Sequence, residues 1–180
     1  MSTGQDSESE LQEPDGRTAA LREAIRRSFP AERYTGKVTP HDGEWLPELT
    51  EENAILDDHM FLYEALNGRR WTEVPTQLLR NQPDGYVLLT DEAFTAFLPA
   101  WLMHSLEGMD AKNEVRDFLV YTFSSTLSQF RVLNPEQQLT VRSLLAEFAE
   151  RESSPYVKKL AFQALALIDR FGYWHASMKS

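Results

Sequence analysis

The sequence predicts a mostly α-helical protein: a single-domain irregular bundle of five to six helices, with a loop-rich segment at about 30–50. Three observations carry that expectation. Apolar residues recur at helical spacing in stretch after stretch. Capping residues stand at the starts of these stretches, twice followed by proline, as in "NP" at 134–135 and "SP" at 154–155. No stretch alternates apolar and polar residues in the manner of a half-buried strand.

The elements follow in order. Residues 1–16 contain Asp6, Glu8, Glu10, Glu13 and Asp15 and no basic residue. Such a segment buries too little to offset its ordering entropy, so a disordered acidic tail is expected, followed by one helical domain over 17–175. "RTAALREAIRRSF" (17–29) puts Leu21, Ala24, Ile25 and Ser28/Phe29 on one stripe, and Pro30 ends it. The next twenty residues hold three prolines and two glycines and read as loop, with a short extended piece at Lys37 to Thr39. A second helix begins with Thr50 as cap, and Glu51 and Glu52 sit where the helix dipole favours negative charge. Ile55, His59, Leu62, Tyr63 and Leu66 share its apolar face, and Gly68 closes it. Trp71 and Val74 read as anchors, "PTQLLRNQ" as a short helix, and "QPDGYVLLT" as a turn plus an extended stretch.

"LTDEAFTAFLPAWLMHSLEG" (89–108) reads as the central core helix, capped by Thr90. Phe94, Phe97, Leu98, Trp101 and Ser105 fall on one face. Pro99 falls opposite, with Glu92, Ala96, Met103 and Glu107, so Phe97 and Trp101 are expected buried and Pro99 exposed on an outward bend. The alternative is a break, with a new helix starting at Pro99. "AKNEVRDFLVYTF" groups Val115, Phe118, Leu119 and Thr122. "SSTLSQFRVL" reads as a polar connection with Leu127 and Phe130 tucked in. Asn134, Pro135 and Gln137 form a near capping box before the stripe Val141, Leu144, Leu145 and Phe148. Ser154 and Pro155 repeat the device before Val157, Leu160, Ala164, Leu167, Ile168 and Phe171.

Composition bounds function. A hydrophobic fraction of 42% supports a real core. The absence of cysteine excludes disulfides, thiolate metal sites and cysteine nucleophiles, and fits a reducing cytosol, so a cytoplasmic location is expected. No apolar run approaches the ~20 residues of a membrane span, and the polar, acidic start carries no secretory signal. Half of the net charge of −10 comes from the five acids of the tail. Nucleic-acid binding is not expected, since phosphate contacts need a basic surface. An acidic surface suits a basic partner, and acidity also simply keeps a cytosolic protein soluble.

No motif announces a reaction. There is no G-x-S-x-G, no Walker loop, no G-x-G-x-x-G and no H-E-x-x-H. In "LDDHM", Asp57 and Asp58 stand about 160° and 100° around the helix from His59, so the three cannot chelate one ion. His59 reads as a core histidine, and His104 and His175 as background. Ser124 has no signalled histidine partner, and in "GRRW" (68–71) the arginines read as caps on helix carbonyls. No catalytic residue, metal or cofactor is expected. Two functional readings remain. The first is a non-enzymatic interaction protein, immunity- or adaptor-like, with Phe61 and Phe162 off their helices' apolar stripes and free to anchor a partner protein. The second is an enzyme with a polar site between the 30–50 loop and the helices, built from His41, Asp42, Glu44, His59 and Arg70.

Several stretches resemble one family: "GRRWTEVP" at 68–75, "LLTDEAFTAFLPAWLMHSLEG" at 88–108, "VRDFLVYTFS" at 115–124, "FRVLNPEQQLTVRSLLAEF" at 130–148 and "ALIDRFGYW" at 166–174. It is an uncharacterised family of small, mainly bacterial cytosolic proteins built on a domain of unknown function, and the likeness covers about residues 20–174. The most specific piece is threonine, acid, acid, Ala-Phe, then Leu-Pro-Ala. The family usually carries tyrosines before that Leu-Pro-Ala, where this chain has Thr95, Ala96 and Phe97. The resemblance implies no activity, cofactor or catalytic residue; it implies the company of small accessory or immunity proteins.

Overall fold

The computed structural model describes residues 15–38, 61–108 and 112–171. Helix α1 spans Gly16–Ser28; a helical segment, α2, covers 61–66; α3 is Thr76–Asn81; α4 is Asp91–Ser105; α5 is Glu114–Ser125; α6 is Ser128–Val132; α7 is Pro135–Arg151; and α8 is Pro155–Phe171. Two 3₁₀ turns lie at Trp71–Glu73 and Gly85–Leu88. The fold is all-α. No helix among the described residues is long and apolar enough to cross a membrane.

Local chemistry fixes most helix ends. Asp15, placed in the tail by the sequence, accepts a hydrogen bond from the Arg17 amide and caps α1, which therefore starts at Gly16. Gly68 ends α2 at φ 66°, a left-handed conformation that other residues take only with strain. The capping box of α7 is complete: Asn134 Oδ1 accepts from the Gln137 amide and Gln137 Oε1 from the Asn134 amide, each at 3.0 Å.

Helix α1 runs antiparallel to α7. Arg17, early in α1, pairs with Glu150, late in α7, at 2.9 Å, while Arg27 pairs with Glu136 at 3.2 Å. Between them the Ser28 and Thr140 hydroxyls share a buried hydrogen bond of 2.9 Å. Helices α7 and α8 form a second antiparallel pair, bridged by the two-pronged contact of Arg142 with Asp169. Helix α5 lies against α8 and α4.

Helix α4 is the centre. It touches α1, α3, α5, α6 and both 3₁₀ turns. Phe97 and Trp101 are fully buried, as expected, and Trp101 donates from Nε1 to the Gln82 carbonyl at 3.0 Å. The expectation for Pro99 fails: it is buried, inside one unbroken helix. Neighbours cover the middle of α4 nearly all round, so Pro99 does not face water even though Glu92, on the same side at the start of the helix, is exposed. Pro99 lines none of the clefts described below.

Other expectations are corrected in the same way. Residues 85–88 form a 3₁₀ turn rather than an extended stretch, placing Tyr86 in the core with its hydroxyl 2.9 Å from that of Thr122. The "SSTLSQFRVL" connection contains α6, which drives Phe130 into the core against Phe123. Phe118 and Phe171 are exposed rather than part of their buried stripes. On α5 the buried set is Val115, Arg116, Leu119, Val120, Thr122 and Phe123. The loop after α1 carries no regular element over 30–38, but Val38 is buried and its amide donates to Asn67 Oδ1 at 2.8 Å.

Candidate functional site

The junction of α4, α5 and the α7–α8 turn gathers the charged and polar groups that the core leaves over. Glycine 108 turns the chain after α4 at φ 54°. Asn113 then caps α5 through Oδ1, which accepts from the Arg116 amide, while its Nδ2 donates to the carbonyls of His104 and Glu107. One turn on, Arg116 points back under α4. Its Nε donates to the Ser105 carbonyl and its Nη2 to those of Glu107 and Gly108. Its Nη1 donates to Glu152 Oε2 at 2.8 Å, and the guanidinium carbon lies 5.5 Å from the centre of the Phe148 ring. Arg116 is 1% exposed. A cation at the carbonyl end of a helix meets the negative end of its dipole, and a carboxylate balances the charge.

Glu152 is held from its other side as well: Oε1 accepts from the Ser154 amide at 3.1 Å and the Ser153 hydroxyl at 3.3 Å. Burial pushes this carboxyl up, but the Ser154 amide and then Arg116 outweigh it and hold it below the ordinary carboxylate range.

Around this clamp open two polar clefts. One, about 420 Å³, is lined by Arg80, Pro83, His104, Glu107, Gly108, Lys112, Asn113, Glu114 and Val115. There the buried His104 Nδ1 lies 2.9 Å from Glu107 Oε2, off the line a hydrogen bond needs. The other, about 340 Å³, is lined by Lys112, Asn113, Arg116, Asp117, Glu152, Ser153 and Ser154. Asp117 is common to this cleft and to a third depression of about 250 Å³, where α5 meets α8. Phe118, Tyr121, Tyr156, Val157 and Leu160 line that one, and it is almost wholly apolar. Its three aromatic side chains are 39%, 55% and 65% exposed, a concentration of ring surface that no helix of the described residues covers.

Of the residues singled out from the sequence, Phe61, Phe162 and Arg70 are described, and none of the three lines these clefts. Phe61 and Phe162 are both largely exposed. Phe162 lies about 160° around α8 from Leu160, on the side away from the aromatic groove. His41, Asp42, Glu44 and His59 lie outside the described residues. Arg70 is exposed at the start of the first 3₁₀ turn, where its amide donates to Glu73 Oε2 at 2.9 Å. In "GRRW" the Gly68 carbonyl is capped by Arg33, Arg69 donates to the Glu73 carbonyl, and Trp71 donates from Nε1 to the Phe29 carbonyl at 3.0 Å. Ser124 donates its hydroxyl to the Tyr121 carbonyl. Among the described residues no group of three His, Asp or Glu is placed to hold a metal ion.

Sequence reasoning missed Arg116 and the groove for one reason. Spacing on α5 groups Phe118 with the buried stripe and gives Arg116 no place in it. The rule that singled out Phe61 and Phe162, an aromatic off its helix's apolar face, applies equally to Tyr121.

These features define an all-α protein with a buried polar clamp and an open aromatic groove. Compared with known proteins, the chain matches no family model, no curated protein and no solved structure.

Proposed function

We propose that this chain is a non-enzymatic protein-interaction protein, immunity- or adaptor-like, and that the groove between α5 and α8 is its docking surface. One observation carries the reading: Phe118, Tyr121 and Tyr156 stand exposed around a single apolar groove between two helices. Exposed rings around one apolar groove leave apolar surface in water, and burying that surface against a partner is favourable. Tyrosine is also among the residues that most often dominate binding energy at interfaces. The lack of cysteine accords with a reducing compartment, and a bacterial cytoplasm is the proposed setting. The resemblance to the bacterial family of small accessory proteins belongs to the same proposal.

The test compares two baits. The full chain and its Phe118→Ser/Tyr156→Ser variant are immobilised and exposed to the same bacterial lysate. The expected outcome is a stoichiometric partner retained by the parent and lost by the variant. Identical retention by both baits overturns the reading.

A further inference from the structure

The groove ends at a carboxylate. Asp117 sits where the apolar groove opens into the polar cleft beside the clamp, and its side chain is partly buried. Four charged residues line that cleft. Arg116 and Glu152 pair with each other, and Lys112 pairs with Glu114 at 3.2 Å. Asp117 has no hydrogen-bond or ion-pair donor to its carboxylate among the described residues. Burial, and then the negative charge of Glu152, push its carboxyl above the ordinary range, in spite of Arg116 and Lys112 nearby. The clamp therefore leaves Asp117 under-compensated: the cations at hand are already committed to other acceptors.

We infer that the groove receives a basic amphipathic segment of a partner protein, with its apolar side chains along Phe118, Tyr121, Tyr156 and Leu160 and a lysine or arginine set against Asp117. This rests on the docking reading above and specifies the partner's chemistry. A cation entering from the groove meets a carboxylate that is partly desolvated, where a charge-assisted hydrogen bond is stronger than in water. The ring faces beside it attract the same charge. The net charge of −10 draws such a segment in from a distance. It repels an acidic segment, an anionic lipid surface and a second copy of this chain. The spacing suits a helix: Asp117, Phe118 and Tyr121 lie on one side of α5, so they present a straight seam for apolar residues repeating every three or four positions.

The probe is a synthetic leucine–lysine amphipathic helix, with a leucine–glutamine helix of equal length as its uncharged counterpart, each titrated calorimetrically into the full chain. The expected result is about tenfold tighter binding of the lysine helix, the gain of one charge-assisted contact. Asp117→Asn removes that preference and Asp117→Glu retains it. Phe118→Ser/Tyr156→Ser loses both helices. If Asp117→Asn keeps the full preference while the aromatic variant loses both helices, the groove docks a partner but the cation is placed wrongly. If the aromatic variant binds both helices as the parent does, the docking reading falls with the inference.

Discussion

Arg116 and Glu152, from the start of α5 and the turn before α8, form a buried ion pair with Nη1 and Oε2 2.8 Å apart. The remaining guanidinium donors close the carbonyl end of α4. Arg116→Met leaves a buried carboxylate without its cation and takes a donor from three carbonyls, of which Glu107 keeps Asn113 Nδ2. Stability is expected to fall by about 3–5 kcal/mol, the usual cost of removing one partner of such a pair. Urea unfolding measures it, and a loss under about 1 kcal/mol would show that water replaces the guanidinium freely. Arg116→Lys restores only part, because an ammonium cannot span the same fork of acceptors.

The same pair makes stability depend on acid. Glu152 is held below its ordinary value of 4.5 in the folded chain, so the folded state resists its protonation more than the unfolded state does. Its contribution is fully present above that ordinary value and is lost as pH falls through the lower, folded value. The urea midpoint of the parent should therefore drop more steeply on the acid side than that of Glu152→Gln. Parallel profiles would contradict this.

Asp117 has the opposite sign. Its folded carboxyl lies above the ordinary value of 3.8, so its contribution is favourable below that value and is lost as pH rises through the folded one. At neutral pH the ionised group costs stability. Asp117→Asn is expected to raise the melting temperature at neutral pH and to give no gain in acid, while weakening the proposed docking. A stability gain bought at the expense of binding is the pattern of a functional residue. A variant that melts at or below the parent at neutral pH would contradict the assignment.

Trp71 ties the first 3₁₀ turn to the end of α1, through Nε1 donating to the buried Phe29 carbonyl. Trp71→Phe keeps much of the packing and removes the donor. The stranded carbonyl should cost about 1–3 kcal/mol in thermal or urea unfolding. An unchanged midpoint would mean that water reaches this carbonyl.

What the chain declares locally, it declares in sequence. Thr90, Asn134 with Gln137, and Gly68 set helix ends through contacts within four residues, which is why α4, α7 and the close of α2 are legible without a fold. Periodicity also identified α4 as a core helix with Phe97 and Trp101 inside. It says which residues share a face of a helix, but not how many neighbours surround it. Tertiary packing alone buried Pro99, by covering the middle of α4 on nearly every side, and left Phe118 in the open, because α8 covers only part of α5. It alone joined Arg116 to Glu152 across thirty-six residues and left Asp117 at the head of an aromatic groove. Charge pairing and exposure at that distance depend on how helices dock, and no local spacing encodes them.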